Sequence, residues 1–203
     1  ALQLTFIVAL LAVCHTELLA ATVYIKFQYT QSLIFVRVKV NNKGGLLFLM
    51  DTGANTSVID KNTANKLKIH TLAKDSVLGT AGKEAIYLLK VKWLEVGNAG
   101  ARDMQISQRD LSHFAELNGQ KIDGILGMDF LHNYAVTIDF RTKKMAFSKK
   151  PVNLGKQLSI PFTYSENLPV IAVRLHDTLN THLRYNSGVS VERSKDVYLN
   201  LSP

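Results

Sequence analysis

Cysteine is nearly absent from this chain: Cys14 is the only one in 203 residues. If the block that carries it is removed on export, the remaining chain has no thiol and no disulfide. A basic stripe is absent too. The formal charge is +8, but the lysines and arginines are scattered. The densest groups, Lys143-Lys144 and Lys149-Lys150, are too small for a nucleic-acid surface. His70, His113, His132, His176 and His182 never fall at H-x-H or H-x-x-x-H spacing, so the common metal-ligand patterns are missing. No glycine-rich stretch runs into Gly-Lys-Ser or Gly-Lys-Thr, and no nucleophile elbow is present. Phosphate binding and serine-histidine-aspartate catalysis therefore have no support.

What is present is a globular composition, 47% apolar and 20% charged, long enough for one well-packed domain. Residues 1–21 stand apart. The first twenty hold no lysine or arginine and are apolar from Leu2 to Cys14 apart from Gln3 and Thr5. That core is short for a bilayer span, so an export leader is expected, with imperfect cleavage near Ala20 and Ala21. The expected location is periplasmic or extracellular, with a membrane tether only if the leader stays uncleaved and no stable span in the mature chain. The missing Met and basic start point to a sequence that begins inside its gene.

Beyond Ala21 the chain reads as β-rich. TVYIKFQYT (22–30) and LIFVRVKVN (33–41) alternate, a turn is expected at Asn41–Gly45 with Gly44 and Gly45 supplying positive φ, and LLFLM (46–50) reads as a strand buried on both faces. Residues 59–69 read as a short helix capped near Asp60, and DLSHFAEL (110–117) as a helical turn or two. Gly79-Thr80-Ala81-Gly82 is the small tip of an expected hairpin. Trp93 is expected to pack. In IDGILGMDFLHNYAVTIDF (122–140) a strand passes through Gly124 and Gly127 into a short helix and another strand. Asp123, Asp129 and Asp139 read as local caps or turn ligands. Pro151 marks a boundary.

Sliding the chain against itself by 135 positions sets FQYTQSLIFVRVKV beside FTYSENLPVIAVRL without a gap. The same shift sets Asp51-Thr52-Gly53 beside Asn186-Ser187-Gly188. This predicts an internal duplication. The expected organisation is a leader at 1–21, a domain at 22–150, and at 151–203 a linker with the truncated opening of a degenerate second repeat.

FLMDTGANTSVID (48–60) places a carboxylate at the end of an apolar strand, where an ionised group is costly unless held or used. With this loop, the apolar-Gly element Ile125-Leu126-Gly127 and the glycine-rich tip in the same order, residues 25–148 resemble the retropepsin-like aspartic proteases. The resemblance implies an all-β fold, a closed barrel of the acid-protease type with one or two short helices. It implies Asp51 as the catalytic aspartate, with Thr52 tying two loops together and Gly53 letting the backbone approach the carboxylate. Ala54, Ile125, Leu126 and Gly127 would support the loop, and Gly79, Thr80, Ala81 and Gly82 would form the substrate-binding flap.

Chemistry of this kind needs two aspartates sharing a proton, with neither metal nor cofactor. The implied activity is endopeptidase hydrolysis of a polypeptide by water held between two Asp51 carboxylates of a homodimer. The other route is a partner lobe in a longer chain. There Asn186 stands where the second aspartate belongs, and a pairing of 51 with 186 is expected to be inactive or unusual. The alternative function is thus a peptide-binding or structural protein without turnover. The 160–203 segment is expected to hinder or decorate the homodimer.

Overall fold

A computed structural model describes residues 23–79, 82–150, 159–175 and 179–188. The leader-like block 1–21 and the flap-tip residues Thr80 and Ala81 lie outside the described residues. Among the described residues, no helix is long and apolar enough to cross a membrane.

The stretch 22–30 divides at Phe27 into β1 (Tyr24–Lys26) and β2 (Gln28–Thr30). A hairpin of β3 (Leu33–Val40) and β4 (Lys43–Met50) follows. Its turn falls on Asn41 and Asn42, with φ of 48° and 66°, within the expected Asn41–Gly45; Gly45 has the positive φ expected of it, 80°, and Gly44 does not. Asparagine tolerates the left-handed region, and a two-residue turn of this hand suits the twist of the flanking strands. As a result, β4 begins at Lys43, earlier than expected.

Next come β5 (Val58–Asp60) and α1 (Lys61–Lys66), where Asp60 caps the helix by accepting from Asn62 N at 3.0 Å and Thr63 N at 3.2 Å. A long hairpin of β6 (Thr71–Gly79) and β7 (Gly82–Val96) leads into β8 (Ala99–Arg109). Then follow α2 (Ser112–Asn118), β9 (Gly124–Leu126), α3 (Met128–Leu131), β10 (Ala135–Asp139) and β11 (Lys144–Ser148). Three short helices are thus present among the described residues, where one or two were expected. Trp93 packs at the edge, its ring 5.0 Å from the Arg102 guanidinium and its Nε1 donating to Glu95 at 2.9 Å.

Strands β3, β4, β9, β5, β8 and β7 are neighbours in one sheet, and β3 also pairs with β7 through Lys39↔Glu95 and Val40↔Leu94. That last pairing closes a six-stranded barrel. β2 and β6 extend the sheet, while β1 and β10 flank β11 in a small separate one. The hairpin β3–β4 has both faces covered, which explains its unbroken apolar runs. Val36, Val38, Phe48 and Met50 face the main core with Ile59, Leu126 and Phe130. Leu33, Phe35, Leu47 and Leu49 face a second cluster with Ile122, packed by Phe114 of α2.

Past the junction lies a sheet of β12 (Thr163–Ser165), β13 (Leu168–Leu175) and β14 (Leu179–Arg184) that shares no ladder with the barrel. Its register repeats that of β2–β4 at the 135-residue offset. Gln28↔Phe35 corresponds to Thr163↔Val170, and Phe35↔Leu49 to Val170↔Arg184. The β12–β13 turn at Glu166 and Asn167, with φ of 51° and 64°, also matches Gln31 and Ser32, at 52° and 62°.

Candidate active site

The site starts from the end of β4. In the ladder Met50 pairs with Leu126 of the parallel strand β9, and Asp51 N donates to Leu126 O at 3.0 Å. The chain then leaves the sheet, because β9 occupies the place between β4 and β5. Residues 51–57 therefore form a loop that bulges from the barrel at a fixed point. Gly53 N donates to Asp51 Oδ1 at 2.7 Å, holding the carboxylate against its own turn.

The support residues meet this loop through the backbone. Met128 N donates to Ala54 O at 2.8 Å, and Asp129 N to Asn55 O at 3.2 Å. A Cβ on Gly127 would lie 2.8 Å from Ala54 O and from Thr56 C, so only glycine permits this approach without moving backbone. Leu126 is fully buried, and Ile125 packs on the second cluster.

Asp129, expected as a local cap, accepts locally from Phe130 N at 2.9 Å and also latches across the chain. It accepts from Ser57 Oγ at 2.6 Å and Ser57 N at 2.9 Å, and Ser57 Oγ accepts in turn from Gly127 N at 3.0 Å. Asp123 likewise reaches Leu47 N at 2.8 Å and Thr63 Oγ1 at 2.8 Å. Asp139 is solely a local turn ligand, accepting from Thr142 N and Oγ1 at 3.1 and 2.7 Å. Burial pushes the Asp129 carboxyl above its ordinary range, with the bonds from Ser57 acting against it. Asp129→Ala should cost about 2–4 kcal/mol, since Ser57 loses its partners in a buried place. Chemical denaturation of the two proteins checks this.

The second triplet lies against the first. Thr52 N donates to Ser187 Oγ at 3.1 Å, and Ser187 N to Thr52 Oγ1 at 3.0 Å. Thr52 Oγ1 donates to Tyr185 O at 3.0 Å, and Ser187 Oγ to Met50 O at 3.1 Å. Each bond thus has its counterpart at the 135-residue offset, and Gly188 N donating to Asn186 Oδ1 at 2.8 Å mirrors the Gly53–Asp51 bond. A Cβ on Gly53 would strike the Asn186 amide, and one on Gly188 the Asp51 carboxyl. Close approach is why both positions need glycine. Asp51 is half-buried here. Desolvation raises its pKa above the ordinary carboxylate value, opposed by the amides of Gly53 and Gly188.

Of the residues expected to form a flap, Gly79 and Gly82 pair with each other at the end of the β6–β7 hairpin. Among the described residues, no cluster of histidine, cysteine and carboxylate side chains is placed to hold a metal ion. Ser57 and Tyr185 were missed in the sequence. Their roles rest on partners far away along the chain, and no local signal marks them.

Residues 36–130 match the family model described as aspartyl protease. Over that segment, a little under half of the chain, the sequence is similar to aspartyl proteases. The fold is mostly β, with a closed six-stranded barrel and short helices. The retrovirus-related Pol polyprotein from transposon 412 of Drosophila melanogaster is 28% identical over 138 residues, 66% of this chain. This chain spans only 10% of that polyprotein. Among solved structures, a retropepsin-like aspartic protease from Rickettsia conorii is 18% identical with a TM-score of 0.44, over 63% of this chain and 89% of that one. The EIAV protease complexed with the inhibitor HBY-793 is 24% identical with a TM-score of 0.36, over 48% and 84% respectively.

Proposed function

We propose that this retropepsin-like chain is an aspartic endopeptidase that hydrolyses polypeptides with water activated between two Asp51 carboxylates of a homodimer. The observation that carries the reading is the reciprocal bonding of Thr52: the Asp51 loop presents a face complementary to a triplet of its own pattern. A second Asp51-Thr52-Gly53 offers the same amide, hydroxyl and glycine, and adds the second carboxylate. Two carboxylates at that distance share one proton. The ionised one takes a proton from the water as it attacks the scissile carbonyl, and the protonated one donates to the carbonyl oxygen. The desolvation that raises the Asp51 pKa favours such sharing. The β6–β7 hairpin with Gly79 and Gly82 at its end is suited to cover an extended peptide.

Other parts of the reading rest on pattern. The shared 135-residue register supports an internal duplication that begins past the junction. The leader-like block supports an exported, periplasmic or extracellular protein.

One observation favours a second reading, a peptide-binding protein without turnover: Asn186 lies where the twin carboxylate belongs. An amide cannot share the proton. The deciding experiment is cleavage of a mixed peptide library between about pH 3 and pH 7 at rising protein concentration. Hydrolysis that grows faster than linearly with protein supports the homodimer. Peptide binding with no cleavage, by folded protein at any concentration, supports the second reading.

A further inference from the structure

We propose that residues 185–188 are a built-in plug: they occupy the place of a second copy's Asp51 loop and hold the chain as a monomer until displaced. This rests on the homodimer reading above. Every hydrogen bond that a partner triplet would make to Thr52 is already made by Ser187 and Tyr185 within the chain. Gly188 lies so close to the Asp51 carboxyl that a second loop has no room beside it. The plug also supplies Asn186 and therefore completes no catalytic pair. A tethered segment acts at an effective concentration on the order of millimolar, so it outcompetes a free second copy at ordinary protein concentrations.

The hold is strong at the loop and weak elsewhere, as a displaceable device requires. The β12–β14 sheet has no ladder to the barrel. Of its side chains, Leu168 joins the main core and Val170 is buried, but Phe162 and Tyr164 are 54% and 52% exposed. Their counterparts at the 135-residue offset, Phe27 and Tyr29, pack edge-on against Phe140 at 5.8 and 5.1 Å. Phe162 and Tyr164 pack on each other at 5.5 Å. Beneath the paired triplets lies a largely apolar cavity of about 610 Å³, lined by Met50, Met128 and Val136 on one side and Phe162, Pro169 and Ile171 on the other. The sheet is thus fastened by its loop and incompletely packed beneath it. Loss of the loop contacts should release it.

The test uses the full chain with Gly188→Val, whose side chain collides with Asp51, and separately Ser187→Ala, which removes two loop bonds without adding bulk. Both leave residues 51–53 intact. Light scattering gives the mass, circular dichroism the fold, and a quenched peptide library the hydrolysis. The wild type should be monomeric and nearly inactive. Each variant should remain folded, dimerise at a concentration about tenfold lower or more, and gain hydrolysis in step with the dimer. Adding Asp51→Asn to either variant should remove that hydrolysis. Folded variants as monomeric as the wild type overturn the plug, as does a wild type that is already dimeric. Dimerisation without hydrolysis leaves the plug standing and overturns the endopeptidase reading instead.

Discussion

Placed in the Ser187→Ala protein, Asp51→Asn abolishes the hydrolysis that dimerisation brings, by about a thousandfold or more, and with or without Ser187→Ala it leaves the protein folded and melting higher at neutral pH. The rate loss follows from the chemistry: an amide can neither take a proton from water nor hand one to the scissile group, and a positioned acid–base residue is worth about 10²–10⁴-fold. Retention of fold follows from Asn186, an amide already in the matching setting that accepts from Gly188 N at 2.8 Å. The stability gain follows from linkage. Burial raises the folded pKa of Asp51 above its unfolded value, so the folded protein binds this proton more tightly. Its ionisation therefore costs stability, beginning as pH rises past the unfolded value and complete above the folded one. Asparagine removes that cost. The melting difference should be largest near neutral pH and vanish as pH falls below the ordinary carboxylate range. Initial rates and melting scans of both proteins across that range check it. Retained hydrolysis would put the catalytic group elsewhere.

Asn186→Asp is the converse change, and it should turn the plugged monomer itself into a peptidase. The triplets already interlock, and each glycine amide already donates to the side-chain oxygen of the residue two before it, Asp51 Oδ1 or Asn186 Oδ1. Replacing the amide by a carboxyl brings two carboxylates into one desolvated place, where only one ionises readily. Hydrolysis should rise by about a hundredfold or more over the wild type and stay linear in protein concentration. Its pH profile should be bell-shaped, since one group must be charged and the other protonated. The same repulsion should lower the melting temperature at neutral pH relative to acid. A folded, monomeric Asn186→Asp protein without hydrolysis would mean that the interlocked form is not a working pair. Activity would then have to come from two copies of Asp51.

The sequence by itself determined the β-rich plan, because alternation and unbroken apolar runs report on burial one strand at a time. It also marked Asp51 at the end of a buried strand and Asp60 as the cap of α1. Each of these depends on near neighbours. Turn position was less legible: Asn41-Asn42 and Gly44-Gly45 are both turn-forming, and the β3–β4 register chose the first. Asp123 and Asp129 looked like local ligands because a carboxylate beside a helix or turn usually is one. Their partners, Leu47, Thr63 and Ser57, come from strands and a helix placed by other contacts. Tertiary structure alone decided that β3 meets β7 to close the barrel, and that Ser187 meets Thr52 inside one chain. The 135-residue shift predicts that the two triplets are alike, but likeness is a local property. Which copy occupies the Asp51 loop depends on whether the intervening chain can bring 187 back to 52, and no local pattern encodes that geometry.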